Sequence, residues 1–534
     1  MRGTIVAAAF AIGLPWAQTV SVPAGSLSGV VAYEGSSRPV ERAQVSINPG
    51  GSGVQTDSRG QYSVQGLAPG SYRIQVNNAS GSWATRVVTL VAAEHRIVDF
   101  QLPESGSISG RVVDSNKEPL SGIAVSLVAR EYSLGELRYV RVLASTTNDR
   151  GEYKLSPVLP RRGYLVFAGS AVKAPSAISN APLDISHRKQ ILTSAYYPDT
   201  DDIEGAGVIT LRSGEHLDGI DIRMAQSPSF CVDGVLEGPD GPEALTFYLD
   251  EQRPADGVAG GMGMYKIPKG GVSGADGRIR VCDLHRGDYV IRAFDHAKSF
   301  WGIGLFTIAD RDARGITIQA KPRLSVPGEV VWAGPAPDKA PQSSILISLW
   351  PPLGRMVLPG ENLQKEPSIP GTFAFDGLFL GDYPVTLYNL PRDMYVRDIT
   401  YSGRSVLHKP LVVGSATGQA TLRILIATDG SVIQGRTTDK DGNPVPDSWA
   451  MVLPERVGTV ADLADAMETV QSDQNGAWHT EQLAPEKYYV LASLVPVDHT
   501  PECMERLWNA RKNGHEVDLA PGTSVQVTVQ PMAE

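Results

Sequence analysis

Residues Thr56 to Val76 read TDSRGQYSVQGLAPGSYRIQV, and this stretch decides the fold. A polar turn ends on Gly60, where Gly supplies a positive φ at no steric cost. Tyr62 and Val64 then share one face of a strand. Tyr72, Ile74 and Val76 share one face of the next, with Arg73 and Gln75 opposite. Alternation with period two marks half-buried strands. The same signature recurs at Thr147–Phe167, Ser273–Ala293, Ser368–Leu387 and Ser472–Ala492. Its first landmark is Tyr62, Tyr153, Ile279, Phe373 and Trp478. Its second is Tyr72, Tyr164, Tyr289, Tyr383 and Tyr488, ten or eleven positions later each time. Recurrence at such intervals means a small domain copied along the chain rather than one large enzyme fold.

Outward from each signature the pattern holds. GSLSGVVAYEGSSRPVERAQVSIN opens the first repeat, GSISGRVVDSNKEPLSGIAVSLV the second and GSVIQGRTTDKDGNPVPDSWAMVL the fifth. Each reads as strand, polar turn, strand. About seven short strands per ~80–120 residues predict an antiparallel β-sandwich. The expected fold is all-β, a tandem array of about five prealbumin/Ig-like sandwiches spanning residues 25–103, 104–226, 227–320, 321–427 and 428–534. Repeat 2 carries a polar loop insertion from Ser170 to Arg188. Repeat 5 carries two segments with helical character, Val460–Thr469 and Pro501–Lys512.

Composition agrees with this picture. The 534 residues include 55 Gly and 38 Pro, about 17% of the chain, which suits many turns and falls short of a disordered composition. A net charge of −10 without a basic patch argues against a nucleic-acid partner. At the N-terminus, MRGTIVAAAFAIGLPWAQTVSVPAG places one Arg before an apolar run from Ile5 to Leu14. This is the pattern of a secretory signal peptide, residues 1–24, with Ala17 or Ala24 as its last residue. The run is too short to cross a bilayer, and no later stretch is long and apolar enough to do so. The chain is expected to be secreted, periplasmic or at the cell surface.

The composite pattern G-x-V-x-D, P-L/V, A-x-V-x-L, T-D-x-x-G-x-Y, L-x-P-G-x-Y resembles the carboxypeptidase regulatory-like domain. It is clear in repeats 1, 2 and 5; repeats 3 and 4 share only the turn and the Gly-Asp-Tyr end. AYYPDT (Ala195–Thr200) with LRSGEHLDGIDIRM resembles multi-repeat exported bacterial proteins of this type. The resemblance implies a prealbumin-like sandwich, similar to collagen-adhesin B-type repeats and starch-binding-domain-like folds. It also implies a non-catalytic binding, folding or spacer module, sometimes one that binds carbohydrate. The opening strands carry no Lys, which argues against the isopeptide cross-link of collagen-adhesin-like repeats.

A search for catalytic chemistry proposes no catalytic, cofactor-binding or metal residue. His499-Thr-Pro-Glu502 has zinc-ligand spacing, but His515 is the sole later His. Ser186-His-Arg-Lys189 matches Ser-x-x-Lys without the motifs that accompany it, and no Gly-x-Ser-x-Gly elbow occurs. The glycine pairs Gly50-Gly51 and Gly260-Gly261 lack the Lys or helix that phosphate loops need. Asp439, Asp441 and Asn443 alternate as calcium ligands do, yet the closing Glu of an EF-hand loop is missing, and the segment reads as a turn.

Two features remain. Cys231 and Cys282 occupy positions that are polar in other repeats, so a disulfide is the natural reading in an exported chain; Cys503 is left over. Trp83, Trp301 and Tyr395 stand 11 or 12 positions after their Gly-x-Tyr, and Tyr196 and Tyr197 follow the longer insertion. Such recurring aromatics suit either a saccharide platform or a shared packing position. The sequence thus predicts a non-enzymatic binding protein with polysaccharide as preferred partner. A stalk, scaffold or interaction module among cell-envelope proteins is the alternative.

Overall fold

The computed structural model describes residues 24–49, 52–170, 190–251, 269–295, 300–337, 344–351, 361–391, 393–414 and 420–532. The signal segment apart from Ala24 lies outside the described residues. So do residues 171–188 of the repeat 2 insertion, the Ser186–Lys189 tetrad, Gly50-Gly51 and Gly260-Gly261. The described chain is built mainly of short strands, and its contacts gather it into two compact units, the first comprising the chain up to Ala79 with Trp83–Leu102 and the second Ser80–Ser82 with the chain from Pro103 on.

The first unit is a two-sheet sandwich. Its strands are β1 (Gly25–Tyr33), β2 (Gln44–Asn48), β3 (Ser52–Gln55), β4 (Gln61–Leu67), β5 (Gly70–Asn77), β6 (Trp83–Leu90), β7 (His95–Ile97) and β8 (Phe100–Leu102). One sheet has the order β4-β1-β7, with β8 beside β1; the other runs β3-β2-β5-β6. Leu27, Val31, Val45, Ile47, Ile74 and Val76 fill the space between them. The second unit holds four further cores in sequence, over residues 108–224, 230–320, 326–426 and 433–529.

One close approach is common to all five cores. A glycine of the opening strand faces the first landmark residue across the sheet: Gly29–Tyr62, Gly110–Tyr153, Gly234–Ile279, Gly328–Phe373 and Gly435–Trp478. A methyl group placed on Gly29 would lie 1.9 Å from the Val98 carbonyl oxygen, and one on Gly110 2.0 Å from that of Ile220. On Gly328 and Gly435 it would strike the Phe373 and Trp478 rings at 2.2 and 1.9 Å. In the first two repeats the tyrosine ring reaches past the glycine, and its hydroxyl donates to those carbonyls, Tyr62 to Val98 at 2.7 Å and Tyr153 to Ile220 at 2.5 Å. Burial drives both phenol pKa values up, so the rings stay neutral donors.

The turn before each landmark is locked by its own side chains. Thr56 Oγ1 donates to Val40 O and accepts from Ala43 N. Thr147 does the same with Leu120 and Ile123, Ser273 with Glu243 and Leu245, and Ser472 with Val445 and Ser448. All four hydroxyls are buried between the turn and the second strand, where an unsatisfied backbone group would be costly. Asp57, Asn148 and Asp473 then accept amides two and four residues on, closing the turn around its glycine. The second landmark anchors the next corner: Tyr72, Tyr164, Tyr289 and Tyr488 donate to Ala68, Leu159, His285 and Ala484 carbonyls. Repeat 4 differs, since Tyr383 Oη there accepts from Phe379 N.

Cys231 and Cys282 form a disulfide between the opening strand of repeat 3 and the strand after its turn. The same cross-strand position holds Ser26 opposite Gln65 in repeat 1 and a Ser325–Asp376 hydrogen bond of 2.7 Å in repeat 4.

Three outcomes are expected for thermal unfolding. Gly110→Ala should destabilise its sandwich by about 2 kcal/mol or more, because backbone blocks the new methyl. Gly334→Ala, where nothing lies within 4 Å, should stay within ~0.5 kcal/mol of wild type. Replacing both Cys231 and Cys282 by Ser opens a loop of 51 residues and should lower repeat 3 by roughly 3–4 kcal/mol.

Candidate functional site

A gathering of charged groups lies in the second unit, where repeat 2 meets repeat 5. Strands Ile123–Ser133 and Glu136–Thr146 form a hairpin of two 11-residue arms, longer than the core beneath requires. Leu134 and Gly135 make its two-residue turn with positive φ at both, the geometry that matches strand twist. The tip ends on two helices of repeat 5, α1 (Val460–Ala466) and α2 (Pro501–Ala510). Thr459 and Thr500 cap their N-termini by accepting from Asp462 N and Cys503 N.

Asp465 on α1 accepts from the backbone amides of Leu134, at 3.0 Å, and Gly135. Tyr132 N donates to the His499 carbonyl at 2.7 Å, and its side chain packs on the cluster of Leu463, Met504 and Leu507. Arg130 pairs with Glu502 on α2, and Arg162 with Glu131 at 3.1 Å. Arg138 is buried near Glu136, Asp465 and Glu131. Burial pushes the Asp465 and Glu136 carboxyls up, against the amide donors and the arginine that favour their charged forms. These charges are spent on one another and on the backbone of the junction.

The residues singled out from the sequence fall into different settings. Trp301 is only 3% exposed and lies 4.5 Å, ring to ring, from Phe379 of repeat 4, in a cluster with Phe294. Tyr395 is 5% exposed and donates to Asp429 Oδ1, at the start of repeat 5, at 2.9 Å. That burial, then the bond to Asp429, pushes its pKa up to about 12. Tyr196, 3% exposed, packs on Phe167, and Tyr197 is half-buried against the repeat 2 core. Trp83 alone of the five stands open, at 49% exposure. Buried rings offer no face to a ligand in solution, so these positions are not brought together as one platform.

The metal-like spacings are likewise dispersed. Glu502 is held by Arg130, and His515 sits in a strand opposite Val490. The Asp439 carboxylate accepts from Asp441 N, Asn443 N and the Asn443 amide, closing its own turn. Among the described residues no group of three or more His, Cys, Asp or Glu is placed to hold a metal ion. No described helix is long and apolar enough to cross a membrane. Sequence reasoning missed the hairpin junction, although SLGE flanked by long alternating strands carried a hairpin signal.

The family model of the carboxypeptidase regulatory-like domain matches residues 26–103. The matched stretch contains the strands of the first unit, with its glycine–tyrosine pair and locked turn. No curated protein sequence matches the chain. Among solved structures, a streptococcal ancillary pilin is 14% identical over 56% of this chain and 100% of the pilin, with a TM-score of 0.21. BcpA, the major pilin subunit of Bacillus cereus, is 10% identical over 57% of this chain and 99% of its own, at 0.14. The Bacillus anthracis TIE protein is 9% identical over 92% and 76%, at 0.16. Such values leave function to be argued from the chain itself.

His408 of repeat 4 is half-buried beside Arg456, with Asp462 of α1 also near. Burial and then the arginine lower its pKa to about 4, with Asp462 opposing. The unfolded chain binds the proton more readily, so this stability is complete above about pH 6.5 and is lost as pH falls toward 4. Thermal midpoints of the second unit should drop across that window by the equivalent of up to about 3 kcal/mol. In His408→Asn that share of the decline should disappear.

Proposed function

We propose that this protein is an exported, non-catalytic scaffold that holds β-sandwich modules in fixed register and presents them to partners in the cell envelope. The observation that carries this reading is the junction of repeats 2 and 5. Its titratable side chains bind helix, hairpin tip and backbone to each other, so they fasten modules together instead of facing a cleft. The Trp301–Phe379 contact and the Tyr395–Asp429 bond fasten repeat 3 to repeat 4 and repeat 4 to repeat 5 in the same way. Export is supported by the apolar leader in the sequence and by the disulfide of repeat 3, a bond that persists in oxidising compartments. The boundaries of the five sandwiches are taken to lie near residues 103, 226, 320 and 427, between successive cores. Carbohydrate recognition is a second reading, favoured by one observation, the exposed Trp83.

Calorimetry of the full chain tests the scaffold. Repeats 2 to 5 should unfold together, and Asp465→Ala should split their transition by freeing the hairpin tip. Four independent transitions in wild type, unchanged by Asp465→Ala, would contradict the reading.

A further inference from the structure

The outer face of the β3-β2-β5-β6 sheet has a composition that its fold does not require. Strand pairing sets Gln55 opposite Gln44, Gln44 opposite Asn77, and Asn77 opposite Trp83, one row across all four strands. At a strand spacing of about 4.8 Å the row is roughly 14 Å long. The next row is Gly53, Ser46, Gln75 and Thr85, and the third is Asn48, Arg73 and Val87. The inward set on these strands, Val45, Ile47, Ile74 and Val76, is fully buried, so the alternate set faces out.

This face carries five amide side chains, three hydroxyl or small positions beside them, one guanidinium and no carboxylate. A methyl group on Gly53 would lie 2.7 Å from Gln44 Nε2, so the glycine leaves room for that amide to lie across the sheet. Each amide offers donors and an acceptor together, the combination that matches adjacent hydroxyls of a sugar. The half-exposed indole at the end of the first row supplies a flat apolar surface with a polar edge, suited to the C–H face of a pyranose ring. A single cation gives too little charge to select a polyanion.

We infer that this face of the first sandwich binds a neutral polysaccharide, with the Trp83 indole stacking on one sugar ring and Gln55, Gln44, Asn77 and Gln75 bonding hydroxyls along the strand-crossing rows. The site rests on the carbohydrate reading given above, to which it assigns a face and residues, and it does not depend on the scaffold. Trp301, Tyr196 and Tyr395 take no part, being committed to packing.

Native affinity electrophoresis of the full chain tests the inference. The gels would contain laminarin, galactomannan or amylopectin as neutral polymers, and alginate as an anionic one. Retardation is expected in at least one neutral polymer, weakened about ten-fold or more by Trp83→Ala and several-fold by Gln75→Ala. Both side chains are exposed, so thermal midpoints of the variants should match wild type. No retardation in any neutral polymer, retardation that Trp83→Ala leaves intact, or retardation by alginate alone would each overturn the proposal. None of these outcomes touches the calorimetric test of the scaffold.

Discussion

Everything in these sandwiches depends on a backbone approach that only glycine permits. In the opening strand of each repeat a missing side chain lets an aromatic or apolar partner, or a neighbouring carbonyl, occupy the space where Cβ would stand. The tyrosine that crosses Gly29 or Gly110 ties the strand after the turn to the returning segment, through a hydroxyl bond made in a dry interior. Such a bond is expensive to leave unmade once the hydroxyl is buried. The latch of Thr56 and its counterparts then fixes the turn that delivers the ring. Three local devices therefore converge on one geometry, which is the consistency expected of a sequence that specifies a single fold.

Much of this was legible in the residues. Period-two alternation around Tyr62 and Tyr72 gave strands; the Asp/Asn-Gly turns and the paired landmarks gave the unit and its repetition. The aromatics were harder, because a recurring ring carries the same sequence signal whether it packs or binds. The structure separates them by neighbours: Trp301 meets Phe379 from the next repeat, while Trp83 ends a row of amides. The hairpin junction was not legible, since contacts between Gly135 and Asp465 join positions 330 residues apart. No local pattern encodes a pairing at that distance, and only the unusual length of the two arms hinted at something beyond the core.

The two kinds of contact imply a division of labour along the chain. In the second unit, charges and aromatic rings are turned inward to join modules, at a cost visible in the raised carboxyl pKa of Asp465 and the lowered guanidinium pKa of Arg138. Burying such groups is tolerable only where partners and hydrogen bonds compensate. In the first unit the polar side chains of one sheet point outward and stay uncharged apart from Arg73. The proposed fastening and the proposed recognition would thus draw on different chemistry in different sandwiches of the same basic design.

The claim that the second unit is fastened through its hairpin is tested most directly by hydrogen–deuterium exchange on the full chain. Amides of Tyr132, Leu134 and Gly135 should be protected to the same extent as the buried strands of repeat 5, because each donates to a group of that repeat. Exchange there at the rate of an open hairpin tip, with the strands of repeat 5 still protected, would contradict the account.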